Sequence, residues 1–317
     1  MHRFCILILS VLAHASLAFS SGGSLSAFTR GLYGLNPASA LFFIAPNGTF
    51  TVLSPELPYL IAQQLSTADP SRGIFYFIGY SRATSGPYLI GLSLANGSTL
   101  TETALPEFYD AQYIGIGQYV AIDPTSTRVF VGGQDVSRNH IVGLVTPGSG
   151  EFEVLANLSS SLRDVFGGTS VFVPETNELW FELDLDIMIL NMATKKVDVL
   201  PVSADFEILG MHLDPTNGLI YGLGGGPGQG VRSIVALNPK NRTITAVGTA
   251  PDWGMQMGGI TAYDNIAKSV FWLGQKVGAD PTAQWYMVQN AVSGGKTLSS
   301  APLCGNAQLC PWSLHYA

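Results

Sequence analysis

The sequence predicts an all-β protein: a six-bladed β-propeller of four-stranded blades, its ring closed by pairing of a C-terminal strand with the N-terminal blade. Three observations carry this expectation. First, an Asp-Pro turn recurs, followed by an apolar pair at a fixed distance: Asp69-Pro70 leads to Phe75-Tyr76, Asp123-Pro124 to Val129-Phe130 and Asp214-Pro215 to Ile220-Tyr221. Degenerate copies put Val173-Pro174 before Leu179-Trp180 and Asp264-Asn265 before Val270-Phe271. Second, the copies start at 69, 123, 173, 214 and 264, a spacing that fits one four-stranded sheet per unit. Third, the residues just before each turn, Ala68, Ile122, Phe172, Leu213, Tyr263 and Tyr316, are mostly bulky. Their predecessors, Thr67, Ala121, Val171, His212, Ala262 and His315, are mostly smaller or polar, as expected of strands that pack one face between blades.

Each copy continues into a further apolar strand: Tyr88 to Leu94, Ile141 to Val145, Ile187 to Leu190, Ile234 to Leu237 and Trp285 to Val288. A partial copy precedes them, with Leu32-Tyr33 as second strand, Leu41 to Ala45 as third and Thr49 to Leu53 as fourth. Its first strand is supplied from the other end of the chain, because Leu314-His315-Tyr316 aligns with Met211-His212-Leu213. Splitting one blade between the termini removes the exposed edges of an open array. In the alternatives, Ser24 to Phe28 opens the first blade, or the ring has seven blades or closes differently.

The chain of 317 residues is 47% hydrophobic and 12% charged, which argues against disorder. Its net charge of -7 and lack of a basic run argue against nucleic-acid binding. His2 and Arg3, the apolar run Phe4 to Ala13 and the small residues Ser16 and Ala18 read as a secretory signal peptide over residues 1–20. Residues 21–317 then form one propeller domain without a membrane span, and the protein is expected to be secreted. Of the cysteines, Cys304 and Cys310 stay in the mature chain and form either one short disulfide or two buried thiols. Sequons at Asn47, Asn96, Asn157 and Asn241 are expected to carry N-glycans.

On the repeat and its Asp-Pro turns, the chain resembles secreted six-bladed β-propellers of the broad superfamily that includes NHL-repeat proteins and gluconolactonase-like hydrolases. The resemblance covers almost the whole mature chain and is architectural. It implies a central channel, which in the hydrolases holds a metal through carboxylates and amides from several blades. No such set can be matched residue by residue here.

The links between blades pair an acid with a bulky residue: Glu56-Leu57 with Tyr59, then Glu107-Phe108-Tyr109-Asp110, Asp164-Val165-Phe166, Asp205-Phe206-Glu207 and Asp252-Trp253. Tyr59, Tyr109, Asp110, Asp164, Asp205, Glu207, Asp252 and Trp253 are therefore candidates for a ligand face that cradles a cation or polar molecule. Repeated turn caps and surface ion pairs explain the same pattern. His212 and His315 share a register and are candidates for the channel, as metal ligands or bases, with His140 assigned to a loop. Glu182, Asp184 and Asp186 alternate along one extended segment, where Ca²⁺ could bind, or line a solvated strand. The glycine run Gly222 to Gly230 lacks a following Lys-Ser or Lys-Thr and reads as a flexible link. Together these point to an extracellular module that binds a protein, glycan or small ligand over one face. The alternatives are a channel-centred hydrolase of lactones or esters, with or without Ca²⁺, and a structural extracellular component.

Overall fold

A computed structural model of the chain describes residues 28–35, 40–45, 49–81, 83, 86–108, 119–158, 169–183, 186–201, 207–225, 233–249, 253–254, 261–276, 285–304 and 315–317. Blade 1 orders its strands β25 (His315–Tyr316), β1 (Leu32–Leu35), β2 (Leu41–Ile44) and β3 (Phe50–Val52). Blade 2 holds β4 (Tyr59–Asp69), β5 (Ile74–Ser81), β6 (Pro87–Ser93) and β7 (Thr99–Ala104). Blade 3 holds β8 (Tyr119–Ile122), β9 (Val129–Gln134), β10 (His140–Thr146) and β11 (Glu151–Leu158). Blade 4 holds β12 (Ser170–Val173), β13 (Glu178–Leu183), β14 (Asp186–Asn191) and β15 (Val197–Leu200). Blade 5 holds β16 (Glu207–Leu213), β17 (Ile220–Gly225), β18 (Ser233–Asn238) and β19 (Thr243–Thr249). In blade 6 the innermost position is shared by β20 (Trp253–Gly254) and β21 (Thr261–Asp264), which pair opposite ends of β22 (Ser269–Lys276). β23 (Trp285–Ala291) and β24 (Thr297–Cys304) complete it.

The innermost strands touch in the order β4, β8, β12, β16, β21, β25 and back to β4, which closes a six-bladed ring. The closure is the one expected from the sequence. Leu32 pairs with Tyr316 and Tyr33 with His315, while Gly31 and Ala317 exchange two backbone hydrogen bonds of 2.9 Å.

Strand periodicity builds the cores. In β13, Leu179 and Phe181 pack toward blade 3, and Trp180 between them packs toward blade 5. An apolar layer of this kind fills each seam from blades 1/2 through blades 5/6. All pairings within the blades are antiparallel, so the links between blades and the β-second-to-third-strand loops open on one face. The Asp turns and the third-to-fourth-strand turns open on the other. These are called the link face and the turn face below.

The repeated aspartate has a local cause. Asp123 Oδ1 accepts from the Thr125 amide at 2.9 Å and Asp214 Oδ1 from the Thr216 amide at 2.9 Å, while Asp264 Oδ1 accepts from Ile266 and Ala267 at 2.8 and 3.0 Å. A short acceptor side chain that bonds the backbone two residues on fixes the reversal. Blade 4 has Val173 at this position, and there the buried Thr176 hydroxyl has no partner among the described residues.

Three details depart from the sequence expectations. The chain reverses between β13 and β14, and Leu183 pairs with Asp186, so Glu182 and Asp186 lie on opposite sides of blade 4 rather than sharing one face. Gly222, Gly224 and Gly225 belong to β17 and are not part of a link. His140 is the first residue of β10, buried at 4% exposure, and is not in a loop.

Candidate functional site

At the link face, inner strands begin with aromatic residues in three blades, and each aromatic packs on a ring at the head of the third strand of its blade. Tyr59 opens β4 and lies 6.2 Å from Tyr88. Tyr119 opens β8 and lies 5.7 Å from His140. Trp253 opens β20 and lies 5.3 Å from Tyr286, whose ring is also approached by the Lys276 ammonium at 5.8 Å. These pairs follow from strand register: an inward residue on the first strand and one on the third flank the second strand on the same side. Tyr59 is buried, and its phenol bonds to Glu102; burial and then that carboxylate push its pKa up.

Of the other expected link-face residues, Glu207 opens β16 opposite Gly225. Tyr109, Asp110, Asp164, Asp205 and Asp252 lie outside the described residues, as does Asp184. Cys304 ends β24 opposite Trp285, while Cys310 lies outside the described residues. Asn96 and Asn241 sit exposed in third-to-fourth-strand turns on the turn face. Asn157 is exposed near the end of β11, within the strand rather than after it, and Asn47 lies outside the described residues.

In the channel wall, His212 on β16 shares a hydrogen bond of 2.7 Å with the Thr261 hydroxyl on the next inner strand, β21. One strand further on, His315 on β25 shares one of 2.9 Å with the Ser66 hydroxyl on β4. Burial lowers the His212 pKa to about 4, opposed by the Thr261 contact. Burial and then proximity to His212 lower His315 to about 3, opposed by Ser66. Both imidazoles are therefore neutral near pH 7. The close approach of β21 to β16 depends on Gly210, because a Cβ there would lie 1.8 Å from Thr261 Oγ1. Among the described residues no three His, Cys, Asp or Glu side chains converge as a metal site would require.

The residues that sequence reasoning missed are Tyr119 and His140. Tyr119 stacks on Phe181 of blade 4 at 4.8 Å and 27°, and His140 lies over the same ring at 6.0 Å and 15°. The signal that could have found them is the aromatic residue opening the inner strand, already visible at Tyr59 and Trp253.

No protein-family model matches the chain, and no curated protein matches it. Solved structures do. TolB from Acinetobacter baumannii is similar at 10% identity with a TM-score of 0.63 over 90% of this chain, which spans 65% of the TolB chain. A chain of a nidogen/laminin complex is similar at 11% identity with a TM-score of 0.58, over 90% of this chain and 96% of that one. An oligogalacturonate lyase in complex with manganese follows at 11% identity and 0.52, over 90% and 86%. These likenesses establish the propeller fold, and no match narrows it to the NHL-repeat or gluconolactonase-like groups.

Proposed function

We propose that this chain is a secreted glycoprotein that recognises an extracellular ligand through its link face. The observation that supports the reading best is the repeated pairing of an aromatic at the head of the inner strand with a ring at the head of the third strand, in blades 2, 3 and 6. Rigid aromatic supports beneath loops are what a binding face needs, since ordering cost is then met before the ligand arrives. The opposite face is occupied by Asp-capped turns and by the sequons at Asn96 and Asn241, where glycans would hinder contact. A like-folded chain in a nidogen/laminin complex is in keeping with partner binding by such a propeller.

The test is site-specific photo-cross-linking of the purified protein against the medium and matrix of the producing cells. A probe at Leu60 or Lys276, on the link face, is expected to capture a partner, whereas one at Ile266 or Asn96 is not. Equal capture from both faces overturns the one-sided reading. A second reading, the channel-centred hydrolase of lactones or esters, is favoured by the two neutral imidazoles in the channel wall. Metal analysis decides for it if a stoichiometric divalent ion, Ca²⁺ included, is lost together with a hydrolytic activity.

A further inference from the structure

We propose that the link end of the seam between blades 3 and 4 is a binding subsite for a neutral, hydroxyl-rich ligand, carbohydrate in its chemistry, read by Tyr119, His140 and Ser170. This rests on the link-face reading and narrows it to one seam. Tyr119 lies flat across its own blade over Gly132, where a Cβ would come 2.2 Å from the ring. It is held from the other side by Phe181, which also stacks on His140. Ser170 stands opposite Phe181 in the β12–β13 register, so its side chain faces the same seam.

Three polar side-chain atoms thus belong to residues grouped around the Phe181 ring: the Tyr119 hydroxyl, His140 Nε2 and the Ser170 hydroxyl. Each is buried, and none has a hydrogen-bond partner among the described residues. Buried polar atoms are nearly always satisfied, so unsatisfied ones clustered on a rigid stack call for a missing partner. Another phenol at the head of an inner strand, Tyr59 in blade 2, packs on the other side of its sheet, in the seam with blade 1, and has Glu102 as its partner.

The chemistry of the three groups selects the ligand. Burial lowers the His140 pKa to about 4 and raises that of Tyr119, with no neighbouring charge contributing to either shift. The three groups are therefore uncharged, and none of them offers a countercharge that would offset the desolvation of a carboxylate or an ammonium. A phenol and a hydroxyl each donate and accept, and a neutral imidazole presents a donor or an acceptor at Nε2 according to tautomer. Sugar hydroxyls, which also do both, match this set.

The experiment uses the full secreted protein on an array of neutral and acidic oligosaccharides, with titration calorimetry on whichever glycan binds. Wild type is expected to bind neutral glycans. Tyr119→Phe and Ser170→Ala should each weaken binding at least tenfold while leaving the melting temperature unchanged or raised, because they delete unsatisfied atoms. A melting temperature that falls with binding unchanged would mean that water or protein satisfies these groups, and would overturn the proposal. So would binding confined to acidic glycans, or no glycan binding by wild type. His140→Phe is a third variant, and if it does not fold the other two decide. Cross-linking from Leu60 and Lys276 that persists while glycan binding fails sinks the subsite alone; loss of both sinks the link-face reading as well.

Discussion

The seams between blades 3 and 4 and between blades 5 and 6 solve the same packing problem and finish it differently. In the 5/6 seam Tyr221 and Tyr263 stack at 5.3 Å, the Tyr263 hydroxyl donates to Asp214 at 2.8 Å, and the Lys268 ammonium donates to both Asp214 oxygens at 2.9 and 2.7 Å. Burial works to raise the Asp214 pKa, but the bonds from Lys268, Thr216 and Tyr263 outweigh it and hold the carboxyl below its usual range. In the 3/4 seam the stack is as close, yet its polar tips are left open. The difference is one of position. The first stack sits at the turn face, where a repeated aspartate supplies an acceptor, and the second at the link face, where none of the described residues bonds its polar tips. Polar satisfaction at the first stack thus follows from the local turn, and the second stack is where the ligand is proposed to bind.

Four experiments can break or sharpen that comparison. The largest effect is expected at the seam that no covalent link spans: deleting residues 312–317 removes β25 and bares the edges of β1 and its neighbours, so secretion should fail or the product aggregate. Normal secretion with an unchanged melting temperature would show that the ring does not depend on this strand. Next, Asp214→Ala leaves the Lys268 ammonium and the Tyr263 hydroxyl without their acceptor, and should cost about 3 kcal/mol in urea unfolding, at the lower end for a broken buried pair because Lys268 is partly solvated.

The third experiment is a stability profile from pH 7.5 to 4. His140, His212 and His315 have folded pKa values of about 4, 4 and 3, below the ordinary 6.5, so the unfolded chain binds more protons as pH falls. Stability is then complete above pH 6.5 and lost progressively toward pH 4, on the order of 3 kcal/mol for a buried imidazole shifted this far. Asp123 and Asp214, whose pKa values are depressed, add their loss only below about pH 4. His140→Phe should flatten part of the upper limb, and an unchanged profile would mean that His140 is not buried as a neutral ring. The smallest effect is a pair of hydroxyl deletions with opposite outcomes. Tyr263→Phe should lose about 1.5 kcal/mol, since it removes a bond to a charged acceptor, whereas Tyr119→Phe should change stability by less than about 0.5 kcal/mol or improve it. Equal losses at the two sites would erase the distinction between the seams.

Much of the architecture was legible because its determinants are local. An Asp that bonds the backbone two residues on leaves the same short signature in blade after blade, and the alignment of Leu314-His315-Tyr316 with Met211-His212-Leu213 located the closing strand. The candidate site was less legible because it depends on register between strands. Tyr119 and His140 meet across β9, and both meet Phe181 from another blade, so no window of sequence contains the arrangement. Asn139-His140 before an apolar strand reads as loop chemistry, although β10 begins at the histidine. Likewise Glu182 and Asp186 alternate in sequence, but a reversal between them puts them on opposite sides of the sheet.

The paired hydrogen bonds between Gly31 and Ala317 make blade 1 continuous in space although it is discontinuous along the chain. Where the polypeptide is cut is thus separable from how the sheets are organised. A circular permutant that joins these neighbours through a short linker and opens the chain at an exposed turn, such as the one holding Asn241, keeps every strand pairing. It also turns the most sequence-distant contact of the ring into a local hairpin. The β18–β19 pairing then becomes the contact between the new chain ends, so the same loop-closure cost is met in blade 5 instead of blade 1.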